Sequence, residues 1–421
     1  MEQRTPRRRF ATTPGTRDVL PPESTRLLDV QARIRKRFRL FGYGEVLTPA
    51  LEYSEVIEEL KLRDASFKLF DPDNQMVMLR PEMTTPIARL VAQRLRNFPP
   101  PHKLSYILPV YRRASVGRGQ SAELYQAGVE VVGSPSPQED AATIALLVDV
   151  LNTLGLEAPE DFAVVLGQTA FYEAYLRRVA PEAASDLLAA LTAKDLVRVD
   201  ALASGLPDAV AAGVRGIPRL VGPATEGGVL EEAARLVGGA PEASAALENL
   251  REILRHLEAS GCLRAVILDL GLVGRHNYYT GAVFEAYAAR LGFTIANGGR
   301  YDNLLKRFGQ ELPATGFAIY LERLLSVLPE RDVPPLLVLV GGDVGGTKTA
   351  AALREHGVPT LHLPEDLEPE TAAKYASSMD AGWVCYPTTD GVKLAASAPG
   401  ARFEAVKIED VAARVLGGVH R

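Results

Sequence analysis

The sequence predicts an α+β fold: an antiparallel sheet flanked by helices, carrying a helical insertion and followed by a small α/β domain. Three observations lead to it. From Leu104 to Gly133, two apolar runs alternating at period two flank the polar segment Arg113 to Glu123, which predicts antiparallel strands joined by a long loop. From about 169 to 259, alanine-rich helical stretches are broken at Pro181, Gly205-Leu206-Pro207, Gly216-Ile217-Pro218 and Gly238-Gly239. Beyond Pro334, the short apolar runs Leu336 to Val340, Thr360 to Leu363 and Trp383 to Tyr386 alternate with helical patterns. The 421 residues leave room for a flexible tail over 1–13, a core domain over 14–328 and a C-terminal domain over 334–421.

In chain order, Pro14 to Pro21 is a turn-rich entry, and Pro22-Glu23-Ser24 opens an amphipathic helix to about Phe41, with Leu27, Val30, Ile34 and Phe38 on one stripe and Gly42 ending it. Tyr43 to Glu52 reads as one strand whose Pro49 suits an edge or an interface. Phe67 to Phe70 and Met76 to Leu79 pair around the turn Asp71-Pro72-Asp73-Asn74. Pro86 marks a helix start, where Glu82 and Thr84 read locally as capping residues. A helix follows over Gln138 to Leu154 and a buried strand over Phe162 to Leu166; after the insertion the sheet resumes at Ala265 to Leu270.

The central strand pair carries the candidate site. Leu124, Gln126, Gly128 and Glu130 fall on one strand face, and Arg112 closes the preceding run. An amide, a carboxylate and a guanidinium are costly to bury without partners. Gly128 between them leaves space that a ligand is expected to use. A solvated face is the plainer alternative for any one such strand.

These residues also carry a resemblance. Val110-Tyr111-Arg112 and Tyr125 to Glu130 resemble the second motif of class II aminoacyl-tRNA synthetases, specifically histidyl-tRNA synthetase. Tyr43 to Glu52 resembles the first motif, which implies a homodimer core. Leu79 to Thr84 is similar to the segment that supplies a carboxylate and a hydroxyl to the substrate's ammonium group. Leu272 to Thr280 resembles the histidine-specific signature, and Ala314 to Arg323 the third motif, with its ATP-contacting arginine at Arg323. The departures concentrate on the nucleotide side. The ATP-binding glutamate falls on Ala114, the loop arginines on Gln120 and Ala122, the catalytic arginine on Gly274 and a motif glycine on Tyr320. Arg275 stands one residue from the catalytic position, and His276 receives no role.

A kept amino-acid pocket beside a dismantled ATP site is what the ATP phosphoribosyltransferase regulatory subunit family implies. That resemblance gives a non-catalytic partner of the short-form catalytic subunit, required for the first step of histidine biosynthesis and mediating feedback by histidine. Glu82, Thr84, Arg112, Gln126, Glu130, Tyr278 and Tyr279 would line the histidine pocket. Glu130 and a tyrosine would meet the imidazole, and Glu82 with Thr84 the ammonium. No catalytic residue, cofactor or metal is implied. A homodimer core within a hetero-octamer of four plus four is what the family suggests. An active histidyl-tRNA synthetase and an adaptor with an unused pocket remain the alternatives.

Charge and thiols bound the rest. A net charge of −5 supplies no global field for nucleic acid. From Pro334 onward, 8 Lys or Arg stand against 11 Asp or Glu, a net of −3 that makes a tRNA grip an unfavourable expectation. Cys262 and Cys385 lack metal-ligand spacing and read as reduced thiols of a cytoplasmic protein with no membrane span. Asp343 to Lys348 resembles a sugar-kinase phosphate loop, but too little chain follows for that fold, and a turn after a strand is the preferred reading.

Overall fold

The computed structural model describes residues 11–416 apart from 58, 114–120, 239, 275–277, 330–335 and 399. The expectations at Ala114, Gln120, Arg275 and His276, at the linker before Leu336 and over most of the N-terminal tail lie outside the described residues. By internal contacts the chain divides into two compact units, Met1–Arg17 with Val30–Pro329, and Asp18–Asp29 with Glu330–Arg421.

Helix α1 (Glu23–Leu40) buries Val30, Ile34 and Phe38, all residues of the larger unit, and Gly42 ends it with a positive φ of 83°. The single strand expected over Tyr43 to Glu52 is instead two, β1 (Gly44–Glu45) and β2 (Leu51–Tyr53), in different sheets. The break has a physical cause. Pro49 has no N–H to give a ladder, and the buried Arg80 guanidinium takes the carbonyls of Thr48 and Pro49, at 2.7 and 3.1 Å. Helix α2 (Leu60–Asp64) leads to β3 (Lys68–Phe70) and β4 (Met76–Leu79), which join β2 in a three-stranded sheet. Asp71 holds their turn by accepting the N–H groups of Asp73 and Gln75.

Then come α3 (Thr84–Arg94), β5 (His102–Tyr111), β6 (Glu123–Val132), α4 (Pro137–Thr153) and β7 (Phe162–Gln168). Among the described residues six α-helices follow from Thr169 to Ala259: α5 (Thr169–Val179), α6 (Ala184–Thr192), α7 (Leu196–Ala203), α8 (Asp208–Gly216), α9 (Gly228–Val237) and α10 (Pro241–Ala259). They are not purely helical, because β8 (Val221–Pro223) lies between α8 and α9 and pairs with β9 (Val266–Asp269). The unit closes with β10 (Ala282–Ala288), β11 (Thr294–Arg300), β12 (Ala314–Tyr320) and the single turn α11 (Leu321–Leu325).

The large sheet has nine strands in the order β1-β5-β6-β12-β11-β10-β7-β9-β8. Among the described residues only β1/β5 and β7/β9 of this sheet are parallel, the latter being the pair that the helical segment separates in sequence. Register decides which side chains share a face. Gln126, Gly128 and Glu130 lie opposite Tyr320, Ala318 and Gly316, which in turn place Asn297 and Gly299 on the same face. The other face is buried and mostly apolar, with Phe317 meeting Phe38 edge-on at 6.0 Å, but it also carries Arg300, which pairs with Asp140.

The smaller unit holds β13 (Leu336–Val340), α12 (Val344–Glu355), β14 (Thr360–Leu363), α13 (Pro369–Ser378), β15 (Ala381–Thr388), β16 (Gly391–Ala396), β17 (Glu404–Val406) and α14 (Ile408–Leu416). Its sheet runs β14-β13-β15-β16-β17, parallel over the first three and antiparallel over the last two. Asp343 to Lys348 forms the start of α12, where the Asp343 carboxylate accepts the Gly346 N–H at 2.7 Å. Among the described residues no helix is long and apolar enough to cross a membrane.

Candidate ligand pocket

Where α3 begins against the β6–β12–β11 face, one small pocket brings together all seven candidate residues, Glu82, Thr84, Arg112, Gln126, Glu130, Tyr278 and Tyr279. Its free space is about 30 Å³, the room of one or two waters. The side chains themselves fill most of it.

Glu130 is the deepest group, 1% exposed. Its Oε1 accepts the Thr84 hydroxyl at 3.0 Å, and its Oε2 accepts the Tyr301 hydroxyl. Gly316 makes the room, since a Cβ there would stand 2.8 Å from Glu130 Cδ and closer still to Oε2. Burial pushes the carboxyl up to about 8; the two hydroxyls oppose that rise, and the nearby Glu82 adds to it.

Glu82 turns back on its own chain. Its carboxylate accepts the N–H of Thr84 at 2.6 Å and of Thr85 at 3.0 Å, so it caps α3 while facing the pocket. Thr84 does not cap, because its hydroxyl goes to Glu130. Arg112 donates from Nε to the Pro81 carbonyl at 2.8 Å, which fixes the guanidinium at the rim.

The role expected of Gly128 is corrected. A Cβ there would stand 2.5 Å from Cζ of Tyr106, a fully buried ring opposite it in the β5–β6 register. The space above Gly128 belongs to Tyr106, not to a ligand. The Tyr106 hydroxyl and Gln126 Oε1 are both buried without a hydrogen-bond partner, and such a group costs about 1–3 kcal/mol. Gln126 faces the pocket, so an incoming donor would relieve it.

An aromatic wall completes the pocket. The Tyr278 ring lies 4.9 Å from that of Tyr279 and 5.8 Å from that of Tyr301, centroid to centroid. Tyr279 covers both Gly274 and Gly299, where a Cβ would come within 2.8 Å of ring carbons. On the side where the sequence resemblance puts the nucleotide, Tyr320 lines the pocket and carries the Arg323 guanidinium 4.5 Å over its ring. Arg323, on α11, also donates to the carbonyl of Thr294 at the start of β11, at 2.8 Å, so it is engaged by the protein's own backbone. Ala122 is buried, its carbonyl accepting the Arg112 N–H at 2.9 Å.

With this geometry in view, the relatives are informative. A histidyl-tRNA synthetase family model matches residues 15–324. An ATP phosphoribosyltransferase regulatory subunit of Rubrobacter xylanophilus is 67% identical over 410 residues, covering 97% of this chain and 98% of the relative. The chain belongs to the ATP phosphoribosyltransferase regulatory subunit family. A relative of the same description from Desulforamulus reducens is 34% identical over 90% of this chain and 96% of its own. A crystal structure described as an ATP phosphoribosyltransferase regulatory subunit/histidyl-tRNA synthetase from Bacillus halodurans superposes with a TM-score of 0.77 at 30% identity, covering 88% of this chain and 96% of that one. The histidyl-tRNA synthetase of Nostoc shares the fold, with a TM-score of 0.81 at 19% identity over 96% of this chain and 98% of that one.

Among the residues of this regulatory subunit's pocket that sequence reasoning missed, two bear directly on Glu130: Tyr301 and Gly316. A signal for Tyr301 was present. Arg300 and Tyr301 are neighbours at the end of a strand and point to opposite faces: Arg300 into a buried pair with Asp140 at 2.9 Å, Tyr301 to Glu130. Gly316 had no such signal, since its need arises only where β12 crosses Glu130.

Proposed function

We propose that this regulatory subunit binds free L-histidine in the pocket around Glu130 and assembles with a short-form ATP phosphoribosyltransferase catalytic subunit, whose activity depends on it and responds to histidine through it. As a regulatory subunit it is non-catalytic, and it serves histidine biosynthesis. Glu82, Thr84, Arg112, Gln126, Glu130, Tyr278 and Tyr279 form the histidine site, with Glu130 at the imidazole end and Glu82 near the ammonium. The observation that carries this reading is the buried Glu130 carboxyl, held by two hydroxyls in a pocket that the other six candidate residues also line. On the synthetase-like nucleotide side, Gly274 supplies no cation, Tyr320 narrows the space and Arg323 is engaged by Thr294. Several lost or diverted electrostatic contacts remove orders of magnitude in rate, so the pocket recognises histidine without activating it.

A homodimer core within a hetero-octamer of four plus four, no tRNA binding and a cytoplasmic location complete the proposal. Coupling between histidine and the partner's active state is reciprocal, so each shifts the other's affinity by the same factor. Equilibrium dialysis with labelled histidine, paired with light scattering of this chain mixed with the catalytic subunit, tests both parts. Histidine retained by the protein and a mass above either component alone support the proposal. Absence of both outcomes contradicts it.

A further inference from the structure

Among the described residues no cation is bonded to Glu130. Its two oxygens take hydroxyls only, from Thr84 and Tyr301, and the other titratable groups facing it are the phenols of Tyr43, Tyr106, Tyr278 and Tyr279 and the carboxylate of Glu82. Among the described residues the one cation lining the same pocket is Arg112, and its Nε is bonded to the Pro81 carbonyl. A carboxylate that is 1% exposed and faced by phenols and a second carboxylate is an unbalanced charge in the empty pocket. The ligand-free site is therefore favoured with Glu130 protonated, since among the described residues no cation is bonded to its carboxyl, and a cationic ligand supplies the charge that the ionised form needs.

Resting on the histidine reading above, we infer that the pocket selects a titratable heteroaromatic base and that Glu130 hands its proton to the ring nitrogen as the ligand seats. The empty site holds a neutral carboxyl and the free ligand a neutral ring. The complex holds a carboxylate and an imidazolium, so the proton moves from Oε to ring nitrogen and the pair's net charge is unchanged. The ion pair exists only in the complex, where each charge satisfies the other. A ring of the same shape that cannot take the proton leaves the buried carboxyl unpaired and is rejected.

This sequence of states fixes how many protons accompany binding at each pH. The free imidazole titrates near about 6.5, and burial holds the empty Glu130 carboxyl up to about 8. At about pH 5.5 the free ligand is already imidazolium, so seating it beside a neutral carboxyl expels one proton. At about pH 7 nothing is exchanged. At about pH 8.5 the empty carboxyl is mostly ionised and the free ring neutral, so binding takes up most of one proton.

The test is calorimetric titration of the intact protein with L-histidine in buffers of different ionisation enthalpy at those three pH values. A companion titration uses 1,2,4-triazol-3-ylalanine, whose ring has the same outline and is far less basic. The expected result is release, then no exchange, then uptake of protons along the pH series, with the triazole bound roughly a hundredfold more weakly at neutral pH. Uptake already complete at neutral pH and absent at the acid end would mean Glu130 is ionised in the empty site, which overturns the inference. So would a triazole bound as tightly as histidine, a result that needs no variant to fold. Failure to bind histidine at all removes the histidine reading itself, and that outcome is distinct from binding with the wrong proton count.

Discussion

The ring of Tyr279 lies across the bare backbone of Gly274, so that a Cβ at 274 would stand 2.8 Å from the ring's Cγ and closer still to Cδ2. The position at which a synthetase-like pocket would carry its catalytic cation is thus occupied by an aromatic plug.

It follows that Gly274→Arg does not restore a synthetase. The new side chain evicts Tyr279 from its seat and disturbs the wall shared with Tyr278 and Tyr301. Histidine-dependent exchange of pyrophosphate into ATP is expected to stay at background, and histidine affinity to fall about tenfold or more, a loss of about 1.4 kcal/mol. Exchange activity rising with the substitution would show that the plug is incidental.

Gly316→Ala is expected to be more damaging than its one added carbon suggests. The Cβ meets the Glu130 carboxyl, which is held by two hydroxyls, and also the Val129 backbone oxygen. Neither can retreat easily. Denaturant unfolding is expected to register a loss of about 1–3 kcal/mol, accompanied by loss of histidine binding in dialysis.

The pair formed by Arg300 and Asp140 sits on the opposite side of the sheet, its side chains 7% and 0% exposed. Burial raises the Asp140 carboxyl even though Arg300 pulls it down. Arg300 also donates to the Ser134 and Ser136 carbonyls, fastening the start of α4 to the end of β11. Asp140→Ala leaves the buried guanidinium with only the part-exposed Asp302 carboxylate, 3.3 Å away, and an unfolding experiment is expected to show a loss of about 3 kcal/mol. Because Tyr301 follows Arg300 directly, histidine affinity is expected to weaken as well.

Glu130 also makes stability depend on pH in a predictable sense. Its carboxyl is raised in the folded chain from an ordinary 4.5 to about 8, so between those values the native state holds the proton more tightly than the unfolded chain does. Stability from this group is therefore full below the ordinary value and falls as pH rises toward the folded one. Glu130→Gln cannot ionise. Relative to wild type, the variant is expected to gain roughly 2–4 kcal/mol between about pH 5 and pH 8.5, the full linkage being reduced by water penetration. Melting curves at the two pH values measure it; an unchanged difference would mean that Glu130 is not the titrating group.

Much of the framework was legible in the chain because its signals are local. Alternation at period two located β5 and β6, and the spacing of Val30, Ile34 and Phe38 located α1 to within a residue. The seven pocket residues could be named from motifs, and they line one pocket. What could not be read are relationships fixed by register between distant strands. Nothing near Gly128 in sequence says that Tyr106 stands over it, and nothing near Gly316 says that Glu130 needs its missing Cβ. The break between β1 and β2 was hidden for the same reason, since Arg80 supplies it from 31 or 32 residues away. Short strands such as β8 carry too few residues for any periodicity to develop.

The most direct test of the central claim is pyrophosphate release from ATP and phosphoribosyl pyrophosphate by a short-form catalytic subunit, measured with and without this chain and across a histidine titration. Release that rises only when the chain is present, with a histidine response that Glu130→Gln abolishes, is the predicted result. The account is contradicted if the catalytic subunit is unaffected by the chain, or if the histidine response persists unchanged in a folded Glu130→Gln variant.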